Sequence, residues 1–141
     1  MSSHTGKSPK PPALPRLLGA AAADAVLIMV FAAVGRDAHQ RGDILTGALL
    51  TAWPFLAGAA LGWLVGRAWR DPLSVRRAGL AVWLGSVAGG MVLRAVTGQT
   101  VVLPFVIVAL LSLGLLLVGY RLLLAGARRR SRVAAPDRPD A

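Results

Sequence analysis

Apolar residues fall into four long runs along the 141-residue chain, separated by short polar segments. The runs cover residues 17–35, 44–66, 78–96 and 101–124. Each has the length of about 20 residues that an α-helix needs to cross the hydrocarbon core of a bilayer. The pattern therefore predicts an all-α protein, a four-helix transmembrane bundle embedded in the lipid bilayer.

Two polar segments flank the runs. Residues 1–16 hold four of the nine prolines and few apolar residues, and residues 125–141 are strongly basic at their start. Such compositions are typical of chain that cannot bury enough apolar surface to fold. We expect a disordered tail at each end, with the C-terminal tail the more basic.

Composition supports the membrane class, since 55% of residues are hydrophobic and 16% are charged. The net charge of +10 does not indicate nucleic-acid binding, because the basic residues cluster at the ends of the apolar runs. Anionic lipid headgroups are the expected partner of these arginine clusters. The absence of cysteine excludes disulfides and thiolate chemistry. The high Ala and Arg content, without glutamate, suggests a GC-rich bacterial genome and hence a bacterial cell membrane.

The basic residues also predict orientation. The N-terminal segment carries three, the loop after the second run four and the C-terminal side six when Arg121 is counted, whereas the first loop carries two and the third turn none. Lysine and arginine are enriched in cytoplasmic segments. Both termini are therefore expected in the cytoplasm.

Small residues within the runs indicate close helix packing. Gly58, Gly62 and Gly66 recur every fourth residue on one face of the second run, and Gly89 and Gly90 offer a facing surface in the third. Small residues at this spacing allow two helix backbones to approach closely in lipid. The faces can pack within one chain or form the seam of a homo-oligomer. A further prediction is a kink in the second helix at Pro54, which removes a backbone donor.

Two charges lie inside the apolar runs at matching depth. A carboxylate such as Asp24 near mid-span costs about 2.5–3.5 kcal/mol on insertion scales, so it requires a function or a partner. Asp24 lies eight residues from Arg16, roughly 12 Å in a helix. Arg121 lies seven residues from Arg128, roughly 10 Å from the same side. We predict an intramembrane ion pair between Asp24 and Arg121.

A second polar group is predicted at the outer surface, formed by Arg36, Asp37, His39 and Arg94. Arg94 either extends to the outer headgroups or engages carbonyl groups and Asp37 of the first loop. His39 with Asp37 and Asp43 is too small a ligand set for a metal site, which needs three or four clustered ligands. We expect neither a metal nor another cofactor.

Two classes of function remain. No sequence motif of a hydrolase, a metalloprotease or a phosphate-binding loop is present, so we expect no enzyme. The first class is a structural or interaction subunit that packs through its glycine faces, against itself or a larger membrane partner, with the Asp24–Arg121 pair fixing helix register. The alternative is a small proton- or anion-coupled transporter or channel, in which Asp24 exchanges protons, working as a homo-oligomer.

The chain also resembles a known family, the bacterial and largely actinobacterial membrane proteins called domain of unknown function 3054. The resemblance is borne by DAVLIMVFAAVGRDAH (24–39), TAWPF (51–55), GGMVLRAVTGQ (89–99), PFVIVA (104–109) and GYR (119–121), where the family commonly has a tryptophan in place of Tyr120. It covers residues 17–124 and implies a four-helix membrane protein without an assigned activity. It singles out five of the polar residues above: Asp24, Arg36, His39, Arg94 and Arg121.

Overall fold

The computed structural model describes residues 13–37 and 43–134, and all regular secondary structure in those residues is helical. The α-helices are α1 (Leu14–Asp37), α2 (Ile44–Val65), α3 (Leu80–Val96), α4 (Leu103–Leu113) and α5 (Gly119–Ala134). A π-helical turn, Val75–Gly79, leads into α3, and a second, Gly114–Val118, joins α4 to α5. A short 3-10 helix, Ala68–Arg70, lies in the loop after α2.

Within the described residues, four helices are long and apolar enough to cross a membrane. These spans, numbered first to fourth below, are Leu14–Gly35, Ile44–Val65, Val75–Val96 and Leu103–Ala134. The prediction of an all-α protein with four apolar spans is confirmed. The fourth span is a single continuous helix because the π turn between α4 and α5 does not interrupt it.

Aromatic side chains link three of the spans in the core of the bundle. Phe55 of α2 is fully buried, and its ring meets Phe31 of α1 edge-on at 5.5 Å between centroids. Phe105 of α4 lies 6.2 Å away on another side. Edge-to-face arrangements of this kind are favourable beyond the area they bury. One side chain thus packs three of the four spans together.

The second helix continues without a break through Pro54, which is buried. Next to it, the Phe55 carbonyl accepts a hydrogen bond of 3.0 Å from the hydroxyl of Ser86 in α3. Hydroxyl-to-backbone bonds across helices strengthen packing where lipid offers no hydrophobic drive. The segment around the proline is therefore held by the neighbouring helix as well as by its own backbone.

The third and fourth spans form a hairpin whose turn contains Gly98. Gly98 has φ of 75°, in the left-handed region that glycine adopts without a steric penalty. The Gln99 N–H donates to the Arg94 carbonyl at 2.8 Å, and the Gly98 N–H donates to the Ala95 carbonyl at 3.3 Å. This pair of bonds is a Schellman motif, which satisfies the last carbonyls of α3. Pro104 then stands in the first turn of α4, where its missing N–H costs nothing.

The end of the fourth span departs from the sequence prediction. Disorder was expected from residue 125, but α5 is helical to Ala134. Alanine, leucine and arginine favour helix, and lengthening an existing helix needs no new nucleus. At the other end α1 begins at Leu14, and residues 1–12 and 135–141 lie outside the described part.

Candidate functional site

Asp24 lies on the buried stripe of α1. Ala20 and Ile28, one turn to either side, are both buried, and Asp24 itself is only 2% exposed. A residue on this face points into the bundle rather than toward lipid. The carboxylate is therefore held inside the protein, where burial is costly unless its charge is paired and hydrogen-bonded.

Arg121 lies on the corresponding stripe of the fourth span. Ala109, Leu113, Leu117 and Arg121 recur every fourth residue, and each is fully buried. Positions four apart on an α-helix rotate by about 40° per step, so a regular helix would carry Arg121 away from this face. The π turn at Gly114–Val118 adds a residue to one turn and corrects the drift. The local irregularity thus aims Arg121 at the core.

The two side chains form a bidentate ion pair. Arg121 Nη1 donates to Asp24 Oδ1 at 2.8 Å, and Nη2 donates to Oδ2 at 2.8 Å. The side chains of Arg121 and Asp24 are 0% and 3% exposed. Two parallel bonds between a guanidinium and a carboxylate are among the strongest polar contacts in proteins. The pair joins the first span to the fourth across 97 residues of sequence.

The rest of the guanidinium is bound to backbone. Arg121 Nε donates to the Pro72 carbonyl at 3.0 Å, and Nη1 also donates to the Leu117 carbonyl at 2.9 Å. Pro72 belongs to the loop between α2 and α3, so Arg121 also fixes that loop against the bundle. Gly79 leaves room for the side chain, because a β-carbon there would lie 3.2 Å from Arg121 Cδ.

Two aromatic side chains complete the hydrogen bonding of the carboxylate. The Trp63 indole N–H donates to Asp24 Oδ2 at 2.9 Å, and the Tyr120 hydroxyl donates to Oδ1 at 2.9 Å. Trp63 lies near the end of α2. The network of Asp24, Trp63, Tyr120 and Arg121, with the Pro72 carbonyl, therefore ties together the first, second and fourth spans and the loop that leads to the third. We call it the Asp24 network.

Removing one aromatic donor is expected to weaken the fold measurably. A hydrogen bond to a charged group contributes about 1.5–3 kcal/mol, so Tyr120→Phe and Trp63→Phe should each lower the free energy of unfolding by that amount. Trp53→Phe is the matched control, since Trp53 is 37% exposed and lies outside the network. Denaturation of the purified protein in detergent micelles measures the difference. Equal losses in Trp63→Phe and Trp53→Phe would contradict the assigned role of Trp63.

Arg94 lies at the opposite end of the bundle and binds the turn that follows its own helix. Its Nη1 donates to the Gln99 side chain at 2.9 Å and its Nη2 to the Thr100 carbonyl at 3.0 Å. The guanidinium also lies 4.5 Å from the centroid of the Phe105 ring. Among the described residues its buried Nε has no hydrogen-bond acceptor. In the described part of the chain, the carbonyl that Arg94 engages belongs to the third turn.

Three of the four residues of the predicted outer cluster have side chains outside the described part of the chain. His39 lies outside the described residues, and the side chains of Arg36 and Asp37 are likewise not described. Arg94 is the single member whose side-chain contacts are known. In the described part of the chain, no three His, Asp or Glu side chains are grouped as metal ligands would be.

The glycine faces meet within one chain. A β-carbon on Gly58 would lie 2.5 Å from the Gly85 carbonyl oxygen and 2.9 Å from the Gly90 nitrogen. One on Gly62 would collide with the backbone of Ala81 in α3, one on Gly66 with the Ala81 side chain, and one on Gly89 would lie 2.8 Å from Gly58 Cα. Gly90 is covered by the Phe55 ring. These glycines permit direct backbone contact between the second and third spans.

Sequence reasoning missed three members of the Asp24 network. Trp63 and Tyr120 were not assigned to this site from the sequence, although each has a polar hydrogen to donate to a carboxylate. Depth alone could have identified Tyr120 as a candidate, because it lies eight residues, roughly 12 Å, from Arg128. The Pro72 carbonyl has no such signal, because the path of the loop depends on tertiary packing.

No curated protein and no solved structure matches the chain. The family described as Protein of unknown function (DUF3054) matches residues 21–124, which include both Asp24 and Arg121. This confirms the resemblance inferred from the sequence. Because the match covers most of the chain, the protein belongs to the DUF3054 family.

Proposed function

We propose that this protein is a structural membrane subunit, without enzymatic activity, whose fold is fixed by the Asp24 network. The observation that carries the proposal is the saturation of the carboxylate. Asp24 accepts four hydrogen bonds, from Trp63, Tyr120 and twice from Arg121. A carboxylate has about four lone-pair sites, so no acceptor position remains for a substrate or a relayed proton.

The glycine faces support the structural role, but through packing within one chain and not through contact with a partner. They are used between the second and third spans of one chain, as the close approach of Gly58 to Gly85 shows. Contact with a larger membrane partner or a second copy would therefore use the lipid-facing sides of the first and fourth spans. Val26 and Val30 of α1 and Leu111 and Leu115 of the fourth span are exposed there.

Orientation and location belong to the proposal too. Asp24, Pro72 and Arg121 meet in one place, which is consistent with the N-terminal end of α1, the second loop and α5 lying at the same end. That end carries most of the arginines, and arginine-rich ends face the cytoplasm. We propose a cytoplasmic location for this end, in the cell membrane of a bacterium, with the actinobacteria as the source that the family resemblance suggests.

A flux measurement separates the structural role from transport. The purified protein and its Asp24→Asn variant are reconstituted into liposomes, and proton and anion fluxes are recorded against empty liposomes. We expect no flux above the empty liposomes for either protein, and lower stability for the variant. Flux through the wild-type protein that disappears in a folded Asp24→Asn variant would overturn the proposal and make Asp24 a transport residue.

A further inference from the structure

The end of the bundle that holds the Asp24 network exposes two sets of arginines. The loop arginines are Arg67, Arg70, Arg76 and Arg77, and the stalk arginines are Arg128, Arg129, Arg130 and Arg132. All eight are exposed. In the part of the chain that the structure describes, the one ion pair is that of Arg121 with Asp24, so none of the eight pairs with a carboxylate of the described residues.

The lengths of the last two spans determine how far the stalk arginines project. The third span has 22 residues and the fourth 32, and a tight turn joins them. The fourth therefore extends ten residues further, about 15 Å, past the start of the third. The headgroup layer on one side of a bilayer is about 5–8 Å thick. The stalk arginines thus start within this layer and end just outside it, where flexible side chains can reach back.

The loop arginines lie at the same membrane surface. Trp69 stands between them and is 41% exposed, as interfacial tryptophans commonly are. Ala68 and Pro72 of the same loop are buried, so the loop is fixed to the bundle and presents its arginines outward. Asp71 is the one exposed acidic side chain in this loop. Within residues 43–134 this surface thus carries eight exposed arginines and one exposed aspartate.

We propose that the loop arginines and the stalk arginines together form a binding surface for the phosphate groups of anionic phospholipids. Guanidinium groups bind phosphate oxygens with two parallel hydrogen bonds and are weakly hydrated, so they lose little on contact with a headgroup. The phosphate groups are assigned to lipid because both sets of arginines lie in or next to the headgroup layer. The inference needs a membrane-embedded protein but not the structural role proposed above.

Quenching of tryptophan fluorescence by brominated lipids tests whether this surface prefers anionic phospholipids. The full-length protein is reconstituted in phosphatidylcholine vesicles that contain a small fraction of brominated phosphatidylglycerol or, for comparison, brominated phosphatidylcholine. Each arginine near an anionic surface favours anionic lipid by on the order of fivefold. We expect half-maximal quenching at about a tenfold lower fraction of the anionic lipid, and a smaller difference at high salt.

Variants identify the residues responsible. Replacing the four loop arginines or the four stalk arginines with glutamine should each reduce the preference, while Asp71→Asn should increase it. Since all these side chains are exposed, the fold should survive, and the double variant Arg76→Gln/Arg77→Gln gives a milder second measurement. Equal quenching by the two lipids, or a preference that persists in both quadruple variants, would overturn the inference.

Discussion

Replacing Arg121 with methionine lowers the free energy of unfolding by about 3–5 kcal/mol, the cost of leaving a buried charge without its partner. Methionine keeps an unbranched side chain but donates no hydrogen bond. The Asp24 carboxylate then retains only Trp63 and Tyr120 as donors, and the Pro72 and Leu117 carbonyls lose theirs. We expect the loop between α2 and α3 to loosen together with the contact between the first and fourth spans.

Unfolding of the purified protein in mixed micelles of a mild detergent and dodecyl sulfate measures this loss. Arg76→Met is the matched control, because it makes the same substitution at an exposed arginine at the same end of the bundle. Exposed substitutions usually change stability by less than about 0.5 kcal/mol. A similar small effect for Arg121→Met would show that the buried pair contributes little.

The same change from glycine to alanine should have opposite effects at two positions. Gly58→Ala adds a β-carbon that would lie 2.5 Å from the Gly85 oxygen and 2.9 Å from the Ser86 oxygen. Both are backbone atoms, so the second and third spans must move apart. Overpacking of this kind costs about 1–3 kcal/mol and sometimes more. We expect Gly58→Ala to fall at the upper end of that range, together with loss of the Ser86–Phe55 hydrogen bond.

Gly19→Ala is the control for this substitution. Gly19 of α1 has no atom within 4 Å of an added β-carbon. Alanine is favoured over glycine in a helix by about 1 kcal/mol, so the change should leave stability unchanged or raise it. Thermal unfolding in detergent compares the two variants. A Gly58→Ala variant as stable as Gly19→Ala would contradict the close contact between the second and third spans.

Much of the fold could be predicted from the sequence because lipid imposes a simple rule on it. A single segment satisfies its own backbone groups inside a bilayer only as a helix, and such a helix needs about 20 apolar residues, so the four runs indicate four spans. This rule does not apply to segments outside the membrane. The helical residues 125–134 follow from local propensity, which polarity alone does not reveal.

The Asp24 network illustrates the same division. Depth along each helix predicted that Asp24 and Arg121 would meet, and in the structure their side chains form a bidentate contact. Depth does not specify rotation about the helix axis. The π turn that directs Arg121 inward and the loop path that brings in the Pro72 carbonyl arise from tertiary packing. Among the described residues, Arg94 binds Gln99 and Thr100 of the turn after its own helix, partners that depth along the helix does not indicate.

A double-mutant cycle on Asp24 and Arg121 tests most directly whether the two residues act as one structural unit. The free energy of unfolding is measured in detergent for the wild-type protein, Asp24→Asn, Arg121→Met and the double variant. We predict that each single variant loses much of the free energy of unfolding. The double variant should be no less stable than the less stable of the two single variants, because removing both charges leaves none buried alone. Losses that simply add in the double variant would contradict the account.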